Sequence, residues 1–415
     1  MKMKASTRFL APLAAAFLAS TAASAEPLKI AVIETLSGPQ ASTGLLFKAG
    51  AKYAVDKINA AGGYAGAPVE LLEYDNQGGP VGAADKVKAA IADGARFIVQ
   101  GASSAVSGQI TEDVRKYNIR NPGKEVIFLN VGGEALELTG AKCHFHHFRF
   151  NPNAQVRVKP MVLAMKDAGI LGTRVYAMNQ NYSWGIDMQG AIEDNAKLGG
   201  YQVVEKTLHD VNKIQDFSPY VAKVAAANAE TVMTGNWSND LLLLMKAAHG
   251  AGLKARFATA FLDQPGNIAN AGDVAVGNVV SHPFNAEANA DTAAFAEDYK
   301  AKMGHYPVYI EPQTAFGVAM LGEALKTAPA GKDGAIDVNA IGKALENVKL
   351  KTPMGEASMR AADHQAQIPM VVSIVAEDAR FKVDGTPYGF KPMKVFTAAE
   401  ASSPVQDACK MNRPN

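Results

Sequence analysis

The sequence predicts an α/β protein of two lobes, each built on a doubly wound, mostly parallel sheet. Three observations predict it. Short β-branched runs alternate with stretches whose apolar residues recur at helical spacing. That pattern runs to about Asn130 and restarts at Arg174. Setting aside an N-terminal targeting segment of 25 residues leaves 390 of the 415, enough for two ordinary domains. Strand, loop, helix, strand is the order a parallel sheet needs, because parallel neighbours are joined only by a crossover.

In the first set, Leu28–Ile33 reads as a strand and Thr35-Leu36-Ser37-Gly38-Pro39 as the loop after it. Leu46, Ala49, Gly50, Tyr53, Ala54 and Ile58 then follow a helical period, and Gly62-Gly63 stops that helix. A second strand, Val69–Tyr74, runs into Asp75-Asn76-Gln77-Gly78-Gly79, and a helix follows from about Val81 to Ala92. Arg96–Val99 and Val126–Asn130 are the third and fourth strands. In the second set, strands are expected at Arg174–Met178, Tyr201–Val204, Thr231–Thr234 and Phe257–Phe261. Helices at about Ile186–Lys197, Pro219–Ala227 and Leu241–His249 separate them. No sequence repeat relates the two sets.

The first 25 residues have the layout of a secretory signal. Lys2, Lys4 and Arg8 precede an apolar run from Phe9 to Ala19, and Ala23-Ser24-Ala25 is a small-x-small cleavage site. Cleavage would expose Glu26. No cysteine stands directly after that site to carry a lipid, and no later apolar run reaches the ~20 residues of a membrane helix. Export to a periplasm is the expected fate, without insertion in the membrane. The segment carries three of the 41 basic residues and no acidic one, so the mature chain has 38 against 40, a net charge of −2. Such a balance gives no reason to expect nucleic acid or an anionic membrane surface as partner. Two cysteines in an oxidising compartment favour a single disulfide, Cys143 to Cys409, over two unpaired thiols.

In doubly wound sheets ligands sit beyond the carboxyl ends of the strands, so the loops after each strand hold the candidate site. After the third strand comes Gly101-Ala102-Ser103-Ser104-Ala105, with helix-forming residues beyond. Ser103 or Ser104 can cap that helix, whose first-turn amides suit a carboxylate. The enzyme reading of this stretch, a nucleophile elbow, needs Gly-x-Ser-x-Gly, and Ala105 stands at its last position. After the fourth strand, Gly132 and Gly133 allow close backbone approach and Glu134 offers a carboxylate. The chain's two tryptophans, Trp184 and Trp237, both fall in post-strand loops of the second set, with Tyr182 beside the first. Two indoles in equivalent loops suggest an aromatic-lined cleft. Phe261 and Asp263 follow the last of these strands.

The stretches IAVIETLSGPQASTG, AVDKINAAGG, VELLEYDNQG, FIVQGASSA and AAHGAGLKARF resemble the periplasmic leucine/isoleucine/valine-binding proteins, the type I solute-binding components of ATP-driven (ABC) importers. The likeness covers essentially the whole mature chain. It implies a type I periplasmic binding protein fold, in which three crossing strands join two lobes that close on a ligand. On that resemblance lobe 1 is residues 26–148 and 283–352, and lobe 2 is 149–282 and 353–415, with a C-terminal tail returning to the hinge. The family's carboxylate and ammonium contacts correspond to Ser103, Ser104, Ala105, Gly132, Gly133 and Glu134. Two family tyrosines correspond to Trp184 and Trp237. This sequence departs from the pattern twice. Glu134 stands where a threonine is common, and Phe261 where an acidic residue holds the ammonium, with Asp263 two positions on. Either Glu134 has taken over an ammonium or the ligand is an aromatic carboxylate.

The segment Cys143–Phe150, CHFHHFRF, resembles by its spacing the first crossing strand. On a strand, His144, His146, Phe148 and Phe150 would share one face and Cys143, Phe145, His147 and Arg149 the other. His144 and His146 could chelate a metal, yet no third ligand is near, and His147 is the histidine expected to reach the cleft. The implied protein is not an enzyme and uses no cofactor or metal. It is expected to act as a monomer, to trap a small carboxylate between its lobes and to deliver it to an ABC permease and its ATPase. A ligand sensor docking on a receptor is the alternative. An exported enzyme on the same fold is a third reading, and it lacks a nucleophile–base pair.

Overall fold

The computed structural model describes Met1 and residues 27–329, 331 and 335–414. The signal-peptide expectation therefore lies outside the described residues. The first five strands are β1 (Lys29–Glu34), β2 (Glu70–Asp75), β3 (Phe97–Gln100), β4 (Ile127–Asn130) and β5 (His147–Arg149). The next five are β6 (Arg174–Gln180), β7 (Gln202–His209), β8 (Thr231–Thr234), β9 (Arg256–Thr259) and β10 (Val279–His282). The chain then adds β11 (Lys349–Thr352), β12 (Gly355–Arg360), β13 (Gln365–Gln367), β14 (Met370–Ala376) and β15 (Gly389–Phe396).

These strands form two sheets, of order β11-β12-β13-β5-β4-β3-β1-β2 and β15-β14-β10-β9-β8-β6-β7. The inner strands are parallel, and among the described residues the antiparallel strand pairs are β11-β12-β13 and β10-β14-β15. Strands β1, β3 and β4 are almost entirely buried, as strands covered by helices on both faces must be. Five helices matter for the site: α1 (Ala41–Ala60), α2 (Pro80–Ala92), α3 (Ser104–Arg120), α4 (Ala154–Asp167) and α5 (Ser183–Asp194).

The chain passes between the sheets three times, after β5, after β10 and after β13. It returns to the second sheet at Met370. Residues 353–367, assigned from the sequence to lobe 2, instead include β12 and β13 of the first sheet. These strands are short and half-polar, so their periodicity does not say which sheet they join. The CHFHHFRF segment also differs from its expectation. Only His147–Arg149 is strand, because a turn closed by Cys143 N–H donating to Gly140 O and His147 N–H donating to His144 O precedes it. His144 Nε2 meets Thr111 Oγ1 at 2.9 Å, and His146 Nε2 meets Asn339 Oδ1 at 2.7 Å. The Cys143–Cys409 disulfide is formed, across a sequence separation of 266. It fixes a C-terminal tail that also reaches lobe 1 through Gln406 Nε2, which donates to Leu136 O at 2.6 Å.

Each sheet has one switch point, where crossovers leave in opposite directions: between β1 and β3 in the first, between β6 and β8 in the second. The loops at these two points meet in the cleft.

Candidate ligand-binding site

At the first switch point β1 ends in Glu34, a fully buried carboxyl. It accepts from Gly101 N–H at 2.5 Å and Ala102 N–H at 3.2 Å, so the end of β1 holds the turn after β3. The next residue, Ser103, has φ +80, an uncommon conformation for a side-chain-bearing residue, and it is the N-cap of α3. Ser238 repeats the arrangement at the second switch point, with φ +53 at the N-cap of helix Asn239–Gly250. Its N–H donates to Gln264 Oε1 at 2.9 Å. The two switch points thus share an uncommon backbone conformation at a helix N-cap.

A cavity with ≈ 320 Å³ of empty volume lies between these loops. Lobe 1 lines it with Thr43, Phe47, Gly101–Ser104, Gly132, Glu134 and Tyr309, and lobe 2 with Tyr182, Trp184, Trp237, Phe261 and Gln264. Phe47 of α1 fits there because two neighbours have no side chain. A Cβ on Gly101 or Gly132 would come within 2.2 or 2.3 Å of its ring.

The polar groups divide into occupied and open. Gly132 and Gly133 N–H donate to Asn130 Oδ1 at 3.2 and 2.7 Å. Glu134 and Ala135 N–H donate to Ser104 Oγ at 3.0 and 3.1 Å. The amides after β4, which the resemblance assigned to a ligand, are thus turned onto protein acceptors. Both acceptor sites of the Ser104 hydroxyl are filled, which leaves its proton to donate. The first i→i−4 amide of α3 is Ser107, so Ser104, Ala105 and Val106 keep first-turn N–H groups. A helix N-terminus of this kind favours an anion.

Glu134 does not stand alone. It belongs to lobe 1, and Arg157 of α4, in lobe 2, grips it from across the cleft. Arg157 Nε donates to Glu134 Oε2 at 2.9 Å and Nη2 to Oε1 at 2.5 Å, with both side chains buried. Arg157 Nη1 donates to Ala260 O at 3.0 Å and Ser281 O at 2.6 Å. The guanidinium lies 4.9 Å from the ring centres of both Phe261 and Tyr309. Burial pushes the Glu134 carboxyl up, and the charge and hydrogen bonds of Arg157 pull it back. A second bridge between lobes is Leu136 N–H donating to Asp187 Oδ2 at 2.7 Å.

The aromatic wall presents ring faces. Trp184 Nε1 donates to Gly235 O and Trp237 Nε1 to Tyr182 Oη, each at 2.8 Å, so neither indole N–H is open. Trp184 packs against Phe261 with centroids 5.4 Å apart.

Of the residues singled out from sequence, Ser103, Ser104, Gly132, Glu134, Tyr182, Trp184, Trp237 and Phe261 line this cavity. Ala105 is exposed one residue past it, and Gly133 faces Ser107. His147 is buried in lobe 1, stacked on Phe128 at 5.1 Å. Asp263 points into a neighbouring chamber. Sequence reasoning missed Thr43, Phe47, Gln264, Tyr309 and Arg157. Phe47, at helical spacing after the Gly38-Pro39 loop, and Gln264, in the loop after β9, carried a usable signal.

Glu34 gives a testable consequence. Burial pushes its carboxyl from 4.5 up to about 8. Between those values the folded chain keeps a proton that the unfolded chain has lost, so stability falls as pH rises through the window, by up to about 1.4 kcal/mol per pH unit. Urea unfolding should give lower stability at pH 8 than at pH 5, and Glu34→Gln should remove much of that slope. An unchanged slope in the variant would contradict the assignment.

The family model described as periplasmic binding protein matches residues 27–380. The chain is 66% identical over 393 residues to Leu/Ile/Val-binding protein homolog 4 of Brucella abortus (strain 2308), covering 94% of each chain. It is 28% identical to the leucine-, isoleucine-, valine-, threonine-, and alanine-binding protein of Pseudomonas aeruginosa, covering 84% of this chain and 90% of that one. Among solved structures, the closed conformation of the leucine-, isoleucine-, valine-, threonine-, and alanine-binding protein from Brucella ovis superposes with a TM-score of 0.90. It shares 66% identity and covers 94% of this chain and 100% of that chain.

Proposed function

The chain belongs to the periplasmic binding protein family, among the leucine/isoleucine/valine-binding proteins, and on that premise we propose that it captures a small apolar α-amino acid between its lobes. It is a solute-binding protein of ABC-type transport, not an enzyme, and the family implies a periplasmic location. Export by cleavage after Ala25, a monomeric state, and delivery to a permease and its ATPase are parts of the same proposal.

The observation that carries it is the charge pattern of the cavity. Glu134 and Arg157 cancel, so the site is formally neutral before a ligand enters. The α3 amides and the Ser104 hydroxyl offer donors for a carboxylate. Each Glu134 oxygen accepts one Arg157 N–H and keeps a second acceptor site, enough for an ammonium. A zwitterion preserves neutrality, whereas a bare anion would leave a buried net charge. The names of the 66%-identical relatives support an aliphatic side chain. Six rings around the cavity, Phe47, Tyr182, Trp184, Trp237, Phe261 and Tyr309, favour an aromatic acid as the second reading.

Calorimetry on protein freed of carried-over ligand tests both. Leucine is expected to bind at micromolar Kd, about −8 kcal/mol. Glu134→Gln should weaken leucine by roughly tenfold or more, as a hydrogen bond to a charged group is worth about 1.5–3 kcal/mol, and should not weaken 4-hydroxybenzoate, whose charge would offset the Arg157 left without its partner. Binding of 4-hydroxybenzoate alone would move the assignment to an aromatic acid. No heat with either ligand or any other apolar amino acid would overturn it.

A further inference from the structure

The chain leaves β9 through Ala260-Phe261-Leu262-Asp263-Gln264-Pro265-Gly266 and enters helix Asn267–Ala271. Gln264 is held at the middle of that turn. Its N–H donates to Phe261 O at 3.1 Å, and its carbonyl accepts from Asn267 N–H at 3.3 Å. Pro265 restricts the backbone directly after it. A backbone fixed on both sides leaves the side chain few directions, and only 5% of Gln264 is exposed.

The amide end is held as well. Its Oε1 accepts from Ser238 N–H at 2.9 Å, at the N-cap of helix Asn239–Gly250. Its NH₂ group faces the Tyr309 hydroxyl as a donor. Tyr309 is pinned in turn. The Arg157 guanidinium lies against its ring, which stacks on Phe261 with centroids 6.2 Å apart. Tyr309 stands at the start of helix Ile310–Thr327, which packs on α1 of lobe 1, whereas Gln264 comes from lobe 2. The contact between them therefore joins the lobes and is lost when they part.

Among the described residues, Gln264 and Tyr309 are the two that line both the cleft cavity and the chamber beside it. The partition between the two spaces is thus one side chain thick. Its far side presents apolar groups of Leu46, Pro265, Ile268, Phe284 and Val308. Taking the cleft cavity as the ligand site, on which this rests, we infer that Gln264 determines specificity for ligand length: docked on Tyr309, its amide is the end wall that limits the ligand's apolar chain.

The wall is complete only in the closed arrangement, so length is read at closure. A chain that stops short of the amide lets Gln264 reach Tyr309 and the lobes meet. A longer chain holds Gln264 away, and contacts between lobes such as Arg157 with Glu134 are lost with it. Discrimination then follows from unequal affinity for the closed state.

Leucine and the longer 2-aminooctanoate are the probes. Calorimetry on wild-type protein should give roughly tenfold or weaker binding of 2-aminooctanoate, since overfilling a packed site is costly. Gln264→Ala should shift the ratio of the two by about tenfold or more toward 2-aminooctanoate, because added methylenes then gain apolar contact instead of a clash. Gln264→Met keeps the bulk but loses the acceptor for Ser238 N–H, so it should weaken both amino acids together and keep the wild-type ratio. Small-angle scattering of wild-type protein needs no variant: leucine should close the lobes and 2-aminooctanoate should leave them open. An unchanged ratio in Gln264→Ala would overturn the proposal, as would an equal shift in Gln264→Met or wild-type closure on 2-aminooctanoate. If neither amino acid binds, the amino-acid reading of the cavity fails by itself, and benzoate against 4-butylbenzoate puts the same ratio to the wall. Absence of binding in both pairs would overturn the two readings together.

Discussion

Arg157→Met is expected to weaken ligand binding by about 3–5 kcal/mol, taking a micromolar site to the millimolar range or beyond. The reason lies in what the closed cleft encloses. Glu134 is buried there with Arg157 as its bidentate partner. Methionine matches the length and apolar contacts of the arginine stem but leaves the carboxylate without its cation, and the carbonyls of Ala260 and Ser281 without a donor. An open cleft admits water to Glu134, so most of the penalty falls on the closed state. Ligand-induced thermal stabilisation should therefore shrink or vanish, and small-angle scattering at saturating leucine should report an open form. Pairing the change with Glu134→Gln should recover part of the closure, since removing both charges avoids the unpaired carboxylate, although that variant lacks the ammonium acceptor. Wild-type affinity in Arg157→Met would show that the pair is incidental to closure.

The same pair marks the limit of what the sequence discloses. The two lobes were legible because β-branched runs and helical spacing are local signals, and each post-strand loop could be assigned to the cleft by the geometry of doubly wound sheets alone. Ser103, Ser104, Trp184 and Trp237 sit in such loops and were found. Arg157 and Tyr309 were not, because they reach the site from helix α4 and from the start of helix Ile310–Thr327. An arginine in Gln155-Val156-Arg157 reads as a solvated helix face until tertiary packing places it between two rings. Asp263 was assigned to the right loop but the wrong cavity, because the turn between β9 and helix Asn267–Ala271 rotates it past Gln264. His147 was misplaced for a related reason. Alternation from Cys143 assumes an unbroken strand, and the turn up to His146 resets the phase.

Trp184→Ala is expected to cost about 3–5 kcal/mol of stability and to lower ligand affinity by tenfold or more. Trp184 is only 1% exposed although it lines the cavity, so it serves the fold and the site with different atoms. Its N–H holds Gly235 O at 2.8 Å, which ties α5 to the loop after β8. A Cβ on Gly235 would come within 2.6 Å of Met188 and 3.0 Å of Trp184, so this loop has closed onto the indole and cannot collapse further without losing its path. Truncation therefore leaves a cavity and an unpaired carbonyl together. Trp184→Phe separates the two effects: it keeps a ring against Phe261, loses the hydrogen bond, and should cost about 1 kcal/mol. Trp184 and Trp237 are the only tryptophans, so each fluorescence change on ligand addition can be assigned by Trp237→Phe, which reports Trp184 alone. If Trp184→Ala kept wild-type urea stability and affinity, the indole would be neither wall nor support. The cavity would then owe its shape to the strained Ser103 and Ser238 turns and to the Phe47 ring on the opposite side.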